Sequence, residues 1–141
     1  MDKTFEDRFA EVQDKMVRAC LEYADNRVDC AYIYASCEHP CVTGDVFFKV
    51  NGQVLKKHKL GEGYDVSPKR QGACLDSLTT CIKEARDICK EYGKDMPTEM
   101  KIIYDTVSQK AEVAYRYDLV YTKSKTKTAM DVVNKWFEEM Q

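Results

Sequence analysis

The chain has 141 residues, of which 44% are apolar and 33% charged, and a formal net charge of −2. That length fits a single domain over residues 1–141 with roughly two thirds of its surface buried, and the near-neutral charge argues against both a nucleic-acid binder and an acidic DNA mimic. No window approaches the ~18 uninterrupted apolar residues of a membrane span, and the first residues, MDKTFEDRF, lack an apolar signal-peptide core, so the expectation is a cytoplasmic protein.

Residues Asp2 to Asp25 predict an amphipathic helix. Phe5, Phe9, Val12, Met16, Ala19, Cys20 and Tyr23 recur at steps of three and four, and charged side chains occupy the other face. Asp25-Asn26 breaks it. Val28 to Ser36 predicts a first strand and Thr43 to Val50 a second. Asn51-Gly52 then predicts a two-residue hairpin, because a type I′ turn needs positive φ at both central residues. That loop pairs Val50 with Gln53 and Phe48 with Leu55. The third strand is expected over Gln53 to Leu60, and Lys56-Lys57-His58-Lys59 marks it as an outer, solvated part of the sheet.

Ser67-Pro68 opens a second helix as N-cap and first helical residue. Its apolar stripe is Cys74, Leu75, Leu78, Cys81, Ile82, Ala85, Cys89 and Tyr92, and Gly93 ends it. Met96 to Leu119 reads as two strands joined by a polar turn. Met100, Ile102 and Tyr104 share one face, as do Val113, Tyr115, Tyr117 and Leu119. This ribbon is expected to be the element around which the chain is organised. Thr128 with Asp131 resembles a capping box, and the last helix carries Ala129, Val132, Val133, Trp136, Phe137 and Met140. The order αβββαββα predicts an α+β fold, with a mainly antiparallel five-stranded sheet covered by helices. Tyr115, Tyr117, Trp136 and Phe137 are expected to join the ribbon to the last helix as core aromatics.

Seven cysteines occur at irregular spacings. In a cytosolic protein they read as reduced thiols, several serving as small hydrophobes. Cys37, His39 and Cys41 form a C-x-H-x-C loop that could ligate zinc with Cys30 or a more distant cysteine as the fourth ligand. A single cluster is an incomplete structural site, and an ordinary loop with free thiols is the simpler reading. Lys56, Lys57, His58, Lys59, Lys123, Lys125 and Lys127 could attract an acidic partner, or simply solvate an edge strand and a loop. Neither Gly61-Glu62-Gly63 nor any other stretch makes a phosphate loop, and no nucleophile elbow is present.

Met96-Pro97-Thr98-Glu99-Met100-Lys101, leading into Ile103-Tyr104-Asp105, and the later Tyr115-Arg116-Tyr117-Asp118 resemble the YezG-like family of bacterial immunity proteins. So do Thr128-Ala129 followed by Trp136-Phe137-Glu138-Glu139, and Val46-Phe47-Phe48-Lys49 with the Asn51-Gly52 turn and Lys56-Lys57-His58. The resemblance covers most of the chain and is clearest over Val46 to Lys59 and Met96 to Met140. It implies a non-enzymatic antitoxin. Such a protein binds and neutralises a cognate toxin, typically the C-terminal domain of a secreted LXG-type polymorphic toxin, often a nuclease. It implies no cofactor and no catalytic residue.

A nuclease cleft is positive, so carboxylates at Glu99, Asp105, Glu112 and Asp118, with Glu138 and Glu139, are candidate partner-binding groups. The alternative is that these are outward positions that are simply charged. Long edge strands would also allow a homodimer. The competing function is a small nucleic-acid-binding or regulatory module, using the lysine-rich third strand and tyrosines stacked on bases.

Overall fold

The computed structural model describes residues 3–38, 41–121 and 126–141. His39, Lys123 and Lys125 of the sets above lie outside them. The elements in chain order are α1 (Phe5–Tyr23), β1 (Cys30–Glu38), β2 (Cys41–Val50), β3 (Gln53–Lys56), a 3-10 turn (Lys57–Lys59), α2 (Pro68–Glu91), β4 (Glu99–Asp105), β5 (Lys110–Arg116) and α3 (Ala129–Met140). The strands form one antiparallel sheet in the order β3-β2-β1-β4-β5. The fold is therefore α+β, as the pattern of elements predicts. Among the described residues, no helix is long and apolar enough to cross a membrane.

Each helix starts where its local chemistry directs. Thr4 and Asp7 close a capping box on α1, Ser67 caps α2 with Pro68 behind it, and Thr128 and Asp131 close a second box on α3. Gly93, at φ +65°, ends α2. The Asn51-Gly52 turn pairs Val50 with Gln53 and Phe48 with Leu55, the register expected of a two-residue loop. Asn51 and Gly52 have φ of +50° and +81°, which is why this dipeptide turns there.

The organising strand is β1, not the β4–β5 ribbon. β1 pairs with β2 on one side and β4 on the other. Its run Ala31-Tyr32-Ile33-Tyr34-Ala35 is buried throughout because both sheet faces are covered. On one face, Ala31, Ile33 and Ala35 meet Val46, Phe48, Met100 and Ile102 under α1 and α2. These two helices are joined by Arg8 to Glu91, Lys15 to Glu84 at 3.1 Å and Arg70 to the Glu22 carbonyl at 2.6 Å, a sequence of contacts that makes them antiparallel. α2 approaches β2 so closely at Gly44 that a Cβ there would stand 2.8 Å from Leu78 Cβ.

On the other face, α3 covers β1, β2 and β3. Trp136 packs edge-on against Phe47, with centroids 5.0 Å apart, and against Tyr32 at 6.1 Å, while Phe137 meets Phe47 at 5.3 Å. The aromatic partners of the last helix are thus in β1 and β2. Tyr115 and Tyr117 are not among them. They lie at the far edge, 43% and 61% exposed, because β5 has no neighbour beyond it. The third strand also stops earlier than expected. It ends at Lys56, and Lys57-His58-Lys59 turns into the 3-10 segment.

Candidate functional site

The hairpin leading into β5 is fixed by Asp105. Its carboxylate accepts from the Val107 and Ser108 amides at 2.8 and 3.1 Å, and those bonds hold its pKa below the usual carboxylate value. Gln109 takes φ +58° and donates its amide to the Asp105 carbonyl at 2.9 Å. β5 then runs along β4, pairing Ile102 with Val113 and Met100 with Tyr115. At its end, the Arg116 carbonyl accepts from the Thr98 amide at 2.8 Å and the Thr98 hydroxyl at 3.1 Å, so it points inward. Backbone groups alternate along an antiparallel strand. Those of Ala111, Val113 and Tyr115 therefore point outward, at an edge with no strand beyond it.

Beside this edge, on the α1 side of the sheet, lies a groove of ≈ 540 Å³ between α1 and β5. Phe5, Phe9, Pro97, Tyr115 and Tyr117 give it an apolar floor, and Glu6, Lys94 and Asp95 stand around it. Gln13 Nε2 donates to the Tyr115 hydroxyl at 2.7 Å, and Phe9 lies 6.5 Å from the Tyr115 ring, so the groove wall is pre-formed. Two of the large exposed apolar side chains, Tyr115 and Tyr117, line this groove; of the others among the described residues, Leu119 follows on in the chain, Val107 lies in the turn at the opposite end of β5, and Met130 is on α3.

The four acidic candidates do not form one surface. Glu99 is 3% exposed, and its Oε1 has no hydrogen-bond partner among the described residues. It points under the α3 side of the sheet, where a docking partner cannot touch it, and this corrects its expected outward position. Asp105 is occupied in its turn, and Asp118 is paired with Arg116 at 2.7 Å. Glu112 is exposed on β5. Glu138 and Glu139 lie on α3, away from the other four on β4, β5 and the chain just beyond.

The thiol loop is likewise dispersed. Cys37 pairs with Val42, and Cys41 with Glu38, so Cys37 and Cys41 project to opposite faces of the sheet. Cys30 stands at the other end of β1, roughly 23 Å from Cys37 at the usual rise per residue. It is too distant to share a metal ion, which removes it as the fourth ligand. Among the described residues no group of three or more metal-ligating side chains comes together.

Two members of the basic set are committed to structure. Lys56 donates to Asn134 at 3.2 Å and lies over the Phe137 ring, while Lys57 pairs with the buried Asp45 at 2.9 Å. Tyr32 and Tyr34 are buried under the α3 layer. The tyrosine-bearing middle of the sheet therefore presents no stacking platform for bases.

One polar cluster was invisible to sequence periodicity. Glu38, 1% exposed, accepts from the Val120 and Tyr121 amides at 3.1 and 3.3 Å, and the Ser36 and Tyr121 hydroxyls are 2.9 Å apart. Tyr34 lies next to them, and burial raises its pKa above the ordinary tyrosine value. This cluster fastens the segment before α3 to the end of β1.

No protein-family model matches the chain, and no curated protein is significantly similar to it. The resemblance to YezG-like immunity proteins is thus an expectation carried by the motif residues alone. In the fold these residues build β2, β3, β4, β5 and α3.

Proposed function

We propose that the protein is an immunity protein that binds a cognate toxin domain directly and stoichiometrically, and so keeps the toxin inactive. The motif resemblance supplies the class of partner. The observation that carries the reading is the pre-formed apolar groove beside the β5 edge, which is lined by the exposed Tyr115 and Tyr117 together with Phe5, Phe9 and Pro97. An apolar floor with a charged rim is the usual anatomy of a protein-binding surface, and Tyr is enriched among residues that dominate binding energy. A complex of this kind is expected to bury on the order of 1,600 Å² in total.

The test is co-expression of the tagged protein with the toxin encoded by its neighbouring gene, inactivated or reduced to its C-terminal domain. A stoichiometric complex, with rescue of growth against the active toxin, is the expected result. Tyr117→Lys, exposed and in the groove, should leave folding unchanged and weaken the complex at least tenfold, about 1.4 kcal/mol. A folded protein that neither binds nor rescues removes the proposal.

A further inference from the structure

We infer that the free β5 edge is a self-association surface, on which a second copy of this chain adds its own β5 antiparallel and makes one continuous ten-stranded sheet. The inference does not depend on the identity of any toxin. Its basis is the charge pattern of the strand. The outward-pointing amides and carbonyls are those of Ala111, Val113 and Tyr115, so an antiparallel two-fold pairing must set odd residues opposite odd ones. This leaves a few registers.

Pairing Val113 with its own symmetry mate sets Lys110 against Arg116, two cations. Moving two residues one way sets Glu112 against Glu112. Moving two residues the other way sets Glu112 opposite Arg116, with Val113 opposite Tyr115 and Ala114 opposite Ala114 at the axis, and carries Lys110 past the end of the partner's β5 towards the acidic bend at Asp118. Each of these pairs except the axial Ala114–Ala114 occurs twice. Opposite-charge and aromatic–aliphatic cross-strand pairs are stabilising, and like charges directly opposite are not. A register centred on Ala111 also sets Lys110 opposite Glu112 but overlaps only the first three residues of β5; among the registers that overlap most of the strand, only the one centred on Ala114 is self-complementary.

The surroundings are consistent with it. Lys110, Glu112 and Arg116 lie on the α3 side of β5 but beyond the reach of α3, which covers β1 to β3. Arg116 already holds Asp118 through both Nε and an Nη atom, at 3.1 and 2.7 Å, so its guanidinium is oriented on that face. On the other side, Val113 and the Gln13-held Tyr115 would pair with their counterparts. The two-fold axis would then bring the two α1–β5 grooves together as a single cleft over the seam.

Sedimentation velocity and light scattering of the protein alone, from about 1 to 100 μM and at low and high salt, would test this. A dimer weakened by salt is expected. Glu112→Arg and Arg116→Glu should each raise the dissociation constant at least tenfold, and the double exchange should restore it. Ala114→Cys should give a disulfide-linked dimer through the introduced thiols under mild oxidation, because residues at the axis fall within bridging distance. A monomer at every concentration would overturn the inference. So would a dimer indifferent to both single exchanges, or singles that weaken it with no recovery in the double. Toxin binding is read separately, by copurification, so failure here and failure of the immunity reading stay distinct.

Discussion

The two edges of the sheet solve the same problem in opposite ways. Each ends in a strand with unpaired backbone groups, which invite another strand. β3 is only four residues long, runs directly into a 3-10 turn, and is closed over by α3 through the Lys56–Asn134 bond and the ring of Phe137. β5 is seven residues long and almost wholly exposed, and α3 does not reach it. The first edge is protected. The second carries exposed apolar side chains and alternating charges, a composition suited to specific contact. Edges that look alike by strand order alone thus differ in what covers them.

The largest effect should come from uncovering the protected edge. Trp136→Ala removes the ring that seats α3 on Phe47 and Tyr32, and should cost about 3–5 kcal/mol in denaturant unfolding. Aggregation should follow as β3 is released, which would erase the contrast between the edges.

A smaller loss is expected from Tyr23→Phe. The Tyr23 hydroxyl donates to the Lys57 carbonyl at 2.8 Å and so ties the end of β3 to α1. Its removal should cost about 1 kcal/mol. Burial pushes the Tyr23 pKa up to about 12. Its folded value therefore lies above its unfolded one, so its contribution is complete below pH ~10 and declines as pH rises towards 12. Unfolding of the wild type should grow easier across that alkaline window, and less steeply in Tyr23→Phe.

At the open edge, Asp105→Ala should lower the melting temperature only slightly, since the carboxylate is exposed. Here the folded pKa is depressed, so the contribution is present above the unfolded value and disappears as pH falls through the folded one. The difference between variant and wild type should narrow below about pH 4. Glu112→Lys should move stability least, within roughly 0.5 kcal/mol for an exposed edge substitution. If the comparison holds, it should still abolish contacts made through β5.

What was legible in the sequence was local. Ser67 and Pro68, Thr128 and Asp131, and Asn51-Gly52 each act within a few residues, and each sits where its own chemistry predicts, whereas periodicity alone set the start of the first helix at Asp2, before the Thr4–Asp7 box that caps it. Strand order is not local. The apolar run from Ala31 to Ala35 carries the mark of a strand covered on both faces, yet the cleaner alternation of Met96 to Leu119 drew attention to an edge. Alternation describes two unlike faces without saying how much covers either. It therefore grouped Tyr115 correctly with Met100 and Val113 but gave it the wrong covering helix, since Tyr115 meets Phe9 and Gln13 of α1 rather than α3, and the wrong degree of burial. Glu99 failed for a related reason. A carboxylate in an alternating strand reads as outward, and only the sheet register, with Ser36 on one side and Arg116 on the other, reveals that it lies inside. The groove was equally hidden, since its walls come from α1 and β5, about a hundred residues apart in the chain.

The Glu38 contact to the Val120 and Tyr121 amides joins two hydrophobic clusters of unequal size. α1, α2 and the sheet share the larger core, whereas α3 is held by a smaller aromatic cluster and by that carboxylate at the remote end of β1. Segments with fewer buried contacts open at lower free energy than the rest. The amides of α3 should accordingly exchange with solvent before those of α1, α2 and β1, and detachment of the C-terminal helix should be the first excursion the native protein makes on its way to unfolding.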